Sequence, residues 1–585
     1  MIIYNVRVFA SQLGWRLGAL FFMLLLAGTA EGLGISLILP LLQSDIQESN
    51  DTLSKLIVWM FGVLNLLPTV ANILVMLVIF FMFRALMLIA QSWYQAIVLS
   101  NHVTEMRSDL IRLVLNARYK HLSSYPSGYL TNAIHGEVNH VGNGMRSLID
   151  LVVSLVTVSV YIALPLLLQP AVTVMLLVLA VPIGILSAFL IRKTKSASIK
   201  LTEQHGQQES FLIEGLRSAK FVKATGRLQT IIDRLVEVTT KVGLSYRRLM
   251  VLSSLTRYAP EPLVVVVMSG IIFFYTNVYD EPITEIMFLM FLFYQASKNM
   301  LRTQSILRTF IESSGSLMIH QKLRTDLTEH AVPDDSSKPQ ADIESDISLD
   351  GITVQFPDQD KPALNNISIL IRQHQTVALV GPSGSGKTTI ANLICGLIEP
   401  SSGSLSVGDK PYSSISISKL QKQIGYVTQE SAIYNGTIGD NVTFWDENPD
   451  IGKLAALLKQ VELDDITETN ADPENRVVGG DGAQLSGGER QRLSIARELY
   501  RDSKLMILDE ATSALDSELE AKIDDLLVSE QGNKTFVIIA HRLATVQHAD
   551  LIYVLDEGKV IETGNFDELV DANGEFAKMV KLQSF

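Results

Sequence analysis

Long apolar stretches in the first half of the chain constrain its fold more than any other feature. Each runs for roughly twenty residues or more, the length that an α-helix needs to cross a bilayer. They lie near residues 17–42, 66–98, 148–168, 171–191, 260–276 and 283–301. Inside lipid every backbone polar group needs an internal partner, which a helix supplies by itself. The pattern predicts an α-helical six-span transmembrane bundle.

The charges that flank these stretches predict its orientation. Two long polar connections, residues 100–146 and 192–248, are rich in Arg and Lys, whereas the loops after the first stretch and before the sixth are acidic. The positive-inside rule places the basic connections in the cytoplasm. Because six is an even number, both termini are predicted there too. The first stretch lacks a small-residue cleavage site, so we read it as a span rather than a signal peptide.

The two basic connections have a helical pattern with a break in each. One break lies at residues 123–127, which include Pro126, and a less clear one lies at residues 210–220. We expect the membrane helices to extend into the cytoplasm and to carry short contact helices near residues 121–127 and 211–219. A solvated helical hairpin is the alternative, but some segment must connect the bundle to the rest of the chain.

Composition separates the 585 residues into parts. The whole chain has a mean hydropathy of +0.26, yet the sequence after about Ser336 is that of a soluble α/β domain. We predict a transmembrane domain at 1–330, a linker rich in Pro, Ser and Asp at 331–344, and a second, soluble domain at 345–585. The net charge of -13 argues against a general nucleic-acid binder. The lone Cys395 excludes an intramolecular disulfide.

A glycine-rich loop near the start of the second domain predicts a phosphate site. The run from Gly381 to Thr388 reads Gly-Pro-Ser-Gly-Ser-Gly-Lys-Thr, follows an apolar strand pattern at 376–380 and opens an apolar helix pattern. This is the context that the P-loop motif requires. Backbone N–H groups of such a loop surround phosphate oxygens, and the helix N-terminus adds positive potential. The expected nucleotide contacts are Gly381, Ser383, Gly384, Gly386, Lys387, Thr388 and Thr389.

Two adjacent carboxylates end a second apolar strand pattern. Asp509 and Glu510 follow Leu505-Met-Ile-Leu508. Side chains alternate along a strand, so neighbouring acids can serve separate roles. We expect Asp509, with Thr388, to bind Mg²⁺, and Glu510 to act as a general base or to orient the attacking water.

The run Leu485-Ser486-Gly487-Gly488-Glu489 resembles the signature motif of ABC transporters, and with the P-loop and the two acids it marks the domain as an ABC ATPase. The resemblance implies four further assignments. Gln429 matches the Q-loop glutamine, a Mg²⁺ ligand with a catalytic role. Asp516 matches the D-loop, His541 the switch histidine that contacts the γ-phosphate, and Phe356 the aromatic that stacks on adenine.

The resemblance also implies a quaternary structure. Family members form head-to-tail dimers in which the signature turn of one copy, here Ser486, Gly487 and Gly488, closes on the ATP of the other. One full motif set predicts a homodimer with two shared ATP sites. Two departures from the family pattern are visible: Glu489 replaces the usual Gln, and Gly480 and Asp481 stand where many exporters have Glu-Arg.

The order of the domains is similar to that of ABC exporters, and the charges within the spans favour one class of cargo. Glu31 and Arg84 lie inside the first two spans, where a charge is costly and usually functional or paired. Lys298 and Arg302 follow the apolar run of the sixth span. These four residues either line a cavity for an anionic amphiphile or serve as an ion pair and a solvated helix end. Short motifs around them resemble PglK-type flippases of lipid-linked oligosaccharides in the bacterial inner membrane.

Other functions remain open on this sequence. Lipid A-type flippases and peptide or multidrug exporters share the same motifs. A soluble ABC ATPase is disfavoured by the apolar stretches, and a channel gated by ATP is disfavoured by Glu510 and His541.

Overall fold

The computed structural model describes residues 9, 14–38, 41, 59–278, 283–341, 343–356, 361–463, 473–482, 484–512, 515, 517–540 and 546–583. Their contacts divide the chain into two compact units. One comprises Met1–Leu113 and Ser127–Asp326, and the other Val114–Pro126 and Leu327–Phe585. We call them the membrane unit and the ATPase unit.

The membrane unit consists mostly of long helices. Its helices are α1 (Trp15–Ser36), α2 (Val70–Leu115), α4 (Ser127–Asn132), α5 (Val138–Leu168), α6 (Pro170–Arg217), α7 (Ala219–Ala224), α8 (Leu228–Tyr258), α9 (Pro260–Val278) and α10 (Ile283–Glu329), with a π-helical turn at Ala133–Glu137 before α5. The short α3 (Tyr119–Leu122) follows α2 and belongs to the ATPase unit. Pro170 sits in the first turn of α6, where its missing N–H costs nothing, and it separates α5 from α6 as the sequence indicates.

Each predicted span overlaps a helix of this unit. Four helical stretches in the described part of the chain are long and apolar enough to cross a membrane: Trp15–Ser36, Val70–Leu115, Gly128–Leu168 and Leu228–Phe273. The helical character of the bundle is therefore confirmed, while the count of six spans stays a prediction.

One face of α2 shows why the unit needs lipid. Large apolar side chains recur on it at steps of three and four residues, which is one helical face. All are more than half exposed within the chain: Val75, Ile79, Met82, Leu86, Ile89 and Trp93. An apolar stripe of this length would be unfavourable in water, so hydrocarbon is its natural environment.

The breaks in the two basic connections lie close to the predicted positions. The first follows α2 at Leu115 and contains α3, slightly before the predicted residues 121–127. The second is a correction: α6 continues to Arg217, and the short helix follows at Ala219–Ala224 rather than at 211–219. Ser218, whose backbone leaves the helical region, separates the two.

The ATPase unit is built on two sheets. Its strands are β1 (Ile347–Val354), β2 (Leu364–Ile371), β3 (Thr376–Val380), β4 (Ser402–Val407), β5 (Lys410–Pro411), β6 (Ile424–Val427), β7 (Leu505–Asp509), β8 (Thr535–Ile539), β9 (Leu551–Asp556) and β10 (Lys559–Gly564). An antiparallel sheet has the order β2-β1-β4-β5, and a mainly parallel one the order β10-β9-β3-β8-β7-β6.

The ATPase unit also contains helices. These are α11 (Lys387–Ile394), α12 (Ile417–Gln421), α13 (Ile438–Thr443), α14 (Ile451–Gln460), α15 (Gly487–Tyr500), α16 (Ser517–Ser529), α17 (Phe566–Asp571) and α18 (Glu575–Gln583). Every residue of β3 and β7 is buried, which explains their unbroken apolar sequences. Since β3, β7 and β8 run parallel and adjacent, their carboxyl ends share one sheet edge. The loops that follow these strands carry the predicted site.

The predicted linker belongs to the ATPase unit. Asp335 is only 8% exposed and accepts hydrogen bonds from the Ser416 hydroxyl at 3.0 Å and from the Ser418 amide at 3.2 Å. Ala341 and Ile343 are part of the core of the ATPase unit. The polar composition of residues 331–344 does not reveal these partners of Asp335, which lie about eighty residues away.

The Asp335 contacts give a stability prediction. We expect Asp335→Ala to destabilise the ATPase unit by about 2 kcal/mol at neutral pH, because charged hydrogen bonds are lost and the buried Ser416 hydroxyl loses its acceptor. The measurement is the midpoint of calorimetric unfolding of the full chain in detergent. Asp334→Ala is the control, since Asp334 is exposed and accepts from the backbone of Ser336. Equal shifts in both variants would contradict the assignment.

The pH dependence of this contribution has a definite sign. Burial alone would raise the pKa of Asp335, but the hydrogen bonds from Ser418 and Ser416 outweigh it and lower the pKa. A lowered pKa means that the folded state favours the carboxylate. The difference between wild type and Asp335→Ala should therefore be full above about pH 4, the pKa of an unfolded aspartate. It should shrink as the pH falls through the lower pKa of the folded state.

Candidate functional site

The P-loop is built as its sequence predicts. Gly381 and Gly386 have φ angles of 153° and 105°, in the region that favours glycine. A Cβ on Gly381 would lie 2.1 Å from the Leu555 carbonyl oxygen, and one on Gly386 would lie 2.5 Å from the Leu364 side chain. The loop therefore has no room for side chains at either position. Gly386 is the residue before α11, so the helix N-terminus opens on the loop. Ser383 and Gly384 lie exposed in the loop, and Thr389 lies in the first turn of α11.

Lys387 lies inside the loop. Its ammonium group donates to the carbonyl oxygens of Gly381 at 2.8 Å and Pro382 at 2.9 Å. Burial lowers the pKa of Lys387, while the nearby carboxylates of Glu510 and Asp509 act in the opposite direction. Ser385 is 2% exposed and its hydroxyl has no hydrogen-bond partner among the described residues. A buried cation and an unsatisfied hydroxyl in one loop suit an anionic, hydrogen-bonding ligand.

Two oxygen ligands face each other beside the loop. The Thr388 hydroxyl donates to a carboxylate oxygen of Asp509 at 3.3 Å. Asp509 ends β7 and is 5% exposed, and this burial raises its pKa. A hydroxyl and a buried carboxylate are the oxygen donors that Mg²⁺ prefers. The pair fits that ion, and a bound cation would relieve the cost of burying the charge.

Glu510 is held in an uncommon conformation. Its φ is 53°, which places a residue with a side chain in the left-handed region. Its N–H donates to the Ile539 carbonyl oxygen at 3.1 Å. Its carboxylate accepts from the side-chain amide of Gln429 at 3.0 Å. The structure thus brings two of the three predicted catalytic residues, Glu510 and Gln429, together at the edge where β7 ends.

The signature turn is a helix N-terminus with a complete capping box. The Ser486 hydroxyl accepts from the Glu489 N–H at 3.2 Å, and the Glu489 carboxylate accepts from the Ser486 N–H at 2.5 Å. Gly487 and Gly488 form the first turn of α15. The departure at Glu489 therefore has a local role, because Glu is a preferred residue at the third position of a capping box. Gly480 is exposed and begins a 3₁₀ turn, Gly480–Gly482, which includes the backbone of Asp481.

The segment that follows α2 reaches the predicted adenine side of the site. Lys120 in α3 lies with its ammonium group 5.6 Å from the centre of the Phe356 ring. Arg118 forms an ion pair with Glu399 at 3.6 Å. The Ala117 backbone pairs with Ala331, and the rings of His121 and His330 stack 3.8 Å apart. The short helix α3 thus belongs to the ATPase unit.

Two predicted residues fall outside the described part of the chain. Asp516 and His541 are among the residues without a described position. Ala540, the residue before His541, follows the end of β8 and is 5% exposed. The expected γ-phosphate contact of His541 stays a prediction, as does the role of Asp516.

The charges of the spans separate into two groups. Arg84 donates to Glu31 at 2.9 Å, and the Tyr161 hydroxyl donates to the same carboxylate oxygen at 2.7 Å. Glu31 is 4% exposed. Glu31 and Arg84 thus have the geometry of an ion pair, which is one of the two alternatives that the sequence leaves open. Lys298 and Arg302 lie exposed on α10.

Sequence analysis missed two participants in these arrangements. Tyr161 lies within an apolar span, where a tyrosine hydroxyl needs a partner, and that requirement is a usable signal. Gln491 donates its side-chain amide to the Glu510 carbonyl oxygen at 3.2 Å. The position of Gln491 relative to the signature motif does not predict this contact. The contact depends on the packing of α15 against the end of β7.

Two sequence families match the chain. The model described as "ABC transporter transmembrane region" matches residues 17–296, and the one described as "ABC transporter" matches residues 364–513. The solved structure of a bacterial Atm1-family ABC exporter with ATP bound superposes with a TM-score of 0.76 at 20% identity. It covers 97% of this chain and 98% of that one. At this identity the likeness shows the fold.

Curated relatives match over a shorter stretch. An ATP-dependent lipid A-core flippase of Burkholderia orbicola (strain AU 1054) is 37% identical over 257 residues, which are 44% of this chain and 43% of that protein. A beta-(1→2)glucan export ATP-binding/permease protein of Bartonella quintana (strain Toulouse) is 40% identical over 239 residues, 41% of this chain and 40% of that protein. The chain thus spans about two fifths of the length of the curated relatives it matches.

Proposed function

This chain belongs to the ABC transporters that join a transmembrane region and an ATPase domain on one polypeptide, and from that premise we propose that it is an ATP-driven exporter of an amphipathic, anionic, lipid-linked substrate. The observation that carries the proposal is the meeting of Lys387, the Thr388–Asp509 pair and Glu510 at one sheet edge. Their chemistry suits hydrolysis of a nucleoside triphosphate. The apolar stripe of α2 supplies the membrane setting.

We assign the steps of hydrolysis to these residues as follows. The N–H groups of the P-loop and Lys387 bind the phosphates, and Lys387 leaves the Gly381 and Pro382 carbonyls to do so. Mg²⁺, held by Thr388, Asp509 and the amide oxygen of Gln429, would neutralise charge that develops on the phosphates. Glu510 accepts a proton from the attacking water. Phe356 stacks on adenine.

The proposed assembly is a homodimer. The signature turn presents backbone N–H groups at the start of α15, which is an anion-binding arrangement. In the dimer it would complete the ATP site of the second copy, with Asp516 and His541 near the γ-phosphate. We place the protein in the bacterial inner membrane with both termini in the cytoplasm, as the basic connections indicate.

The substrate class is supported by two observations. The curated relatives include proteins named as lipid A-core flippases, and α10 carries exposed cationic groups at Lys298 and Arg302. A lipid with a phosphate or pyrophosphate head group and a glycan suits both. Lipid-linked oligosaccharides are our first candidate. Lipid A-type lipids are the second candidate, favoured by the names of the relatives.

Substrate stimulation of ATP hydrolysis tests this proposal. In nanodiscs, we expect anionic polyisoprenoid-linked glycans to raise the ATPase rate above its basal value more than neutral drugs do. Lipid A-type lipids form the third arm, and the strongest stimulant identifies the class. A larger effect of neutral drugs would reject the flippase assignment.

A matched pair of variants checks the cationic groups on α10. Lys298→Gln should weaken stimulation by the anionic lipid severalfold. Lys322→Gln should not, because Lys322 is also exposed on α10 but lies about 35 Å farther along the helix. Equal effects of both substitutions would remove Lys298 from the substrate path.

A further inference from the structure

The catalytic conformation of Glu510 depends on contacts from three different elements. Its N–H is held by the carbonyl of Ile539 on β8, its carboxylate by Gln429, and its carbonyl oxygen by the side chain of Gln491. A glutamate in the left-handed region returns to a more common conformation unless its surroundings hold it. Loss of the carbonyl contact would free the peptide bond after Glu510 to rotate and would move its carboxylate.

Gln491 is well suited to hold that carbonyl. It is 4% exposed and lies in the interior of α15, one turn after Gly487. A buried amide on a helix has few alternative positions, so its N–H group is fixed relative to the helix axis. The hydrogen bond of 3.2 Å between Gln491 and Glu510 therefore depends on the position of α15 relative to the end of β7.

The same helix begins at the signature turn. Ser486 caps α15, and Gln491 is five residues farther along. We propose that Gln491 is a positioning residue for hydrolysis: it fixes the Glu510 carboxylate and makes its placement depend on the position of the signature helix. This inference rests on the proposed function, in which the turn at Ser486 completes the ATP site of the second copy. Movement of α15 upon closure of that site would then be transmitted to the general base.

Steady-state ATPase kinetics of the full-length protein in nanodiscs test the role of Gln491. Gln491→Met keeps the shape of the side chain but removes the donor. We expect kcat to fall about tenfold, a loss typical of a misplaced catalytic group, with the KM for ATP changed less than twofold. The control is Ser494→Ala, because Ser494 is equally buried on α15 and donates to the Arg490 carbonyl oxygen rather than to Glu510.

A second variant distinguishes positioning from packing. Gln491→Glu loses the amide donor, yet its protonated carboxyl group can donate to the Glu510 carbonyl. Burial favours this neutral form. We expect the kcat of Gln491→Glu, relative to that of Gln491→Met, to rise as the pH falls from 8 to 6. A residue that only fills space would give a ratio that does not depend on pH. If Gln491→Met does not fold, the kcat of Gln491→Glu relative to that of the wild type, measured as a function of pH, distinguishes positioning from packing.

The outcomes separate this inference from the proposed function. If the wild type hydrolyses ATP and Gln491→Met retains its kcat, or changes only its KM, the positioning role is overturned. A tenfold loss in Ser494→Ala would overturn it as well, because the effect would then belong to α15 as a whole. A wild type that binds ATP but releases no phosphate would refute the proposed function itself.

Discussion

Glu510→Gln should bind ATP with the affinity of the wild type and hydrolyse it at least about a hundredfold more slowly, since general-base catalysis contributes two to four orders of magnitude. The substitution is nearly isosteric. Its amide oxygen can still accept from Gln429, and the backbone contacts to Ile539 and Gln491 do not involve the side chain. Only the ability to accept a proton from water is lost.

The measurement for this variant has two parts. Phosphate release gives turnover, and equilibrium binding of a fluorescent ATP analogue gives affinity. Glu557→Gln is the matched control, because it makes the same change at an exposed carboxylate beyond β9. Normal hydrolysis by Glu510→Gln would remove Glu510 from the role of general base. A large loss of affinity would indicate that the carboxylate acts in binding. Mass spectrometry of lipids that co-purify with this variant would also identify the cargo directly.

Arg84→Met should be the most destabilising single change in the membrane unit. It would leave the Glu31 carboxylate, 4% exposed, with the Tyr161 hydroxyl but without its counter-charge. Removing one partner of a buried ion pair typically costs about 3–5 kcal/mol. We expect the Tm of the protein in nanodiscs to fall markedly. Tyr161→Phe should have a smaller effect, because it removes a neutral hydrogen bond.

A double variant decides between a structural and a substrate role for the pair. Glu31→Gln combined with Arg84→Met leaves no uncompensated charge, so most of the lost Tm should return. The Nε of Arg84 is buried and has no hydrogen-bond partner among the described residues, so a ligand would reach it only after a local rearrangement. If the double variant is stable and still stimulated by anionic lipid, the pair is structural. Loss of stimulation in a stable protein would place Arg84 in the substrate path.

The sequence predicts local geometry well in this protein. The P-loop and the strand that ends at Asp509 follow from short-range rules of helices, strands and glycines. The predicted strand at 376–380 coincides with β3, Thr376–Val380. Such features depend on residues that lie within a few positions of one another, so a single sequence is enough to predict them.

Contacts between distant segments are harder to predict. Gln491, Tyr161 and Asp335 each find their partner through tertiary packing, and their neighbours in sequence give no direct sign of it. The acidic, proline-containing stretch around Asp335 has the composition of a linker, yet its carboxylate lies between two serines of a different segment. The second contact helix lies several residues after its predicted position, because the helix propensities of the residues do not determine where α6 ends.

The burial of Asp335, Ala341 and Ile343 also determines where a shortened protein has to begin. A fragment that started at residue 345 would leave Ser416 and Ser418 without their carboxylate and would open the apolar surface that Ala341 and Ile343 cover. Exposed apolar surface of that kind favours aggregation during expression. A soluble ATPase fragment should therefore start before Asp335, at a residue that composition alone would assign to the connection between domains.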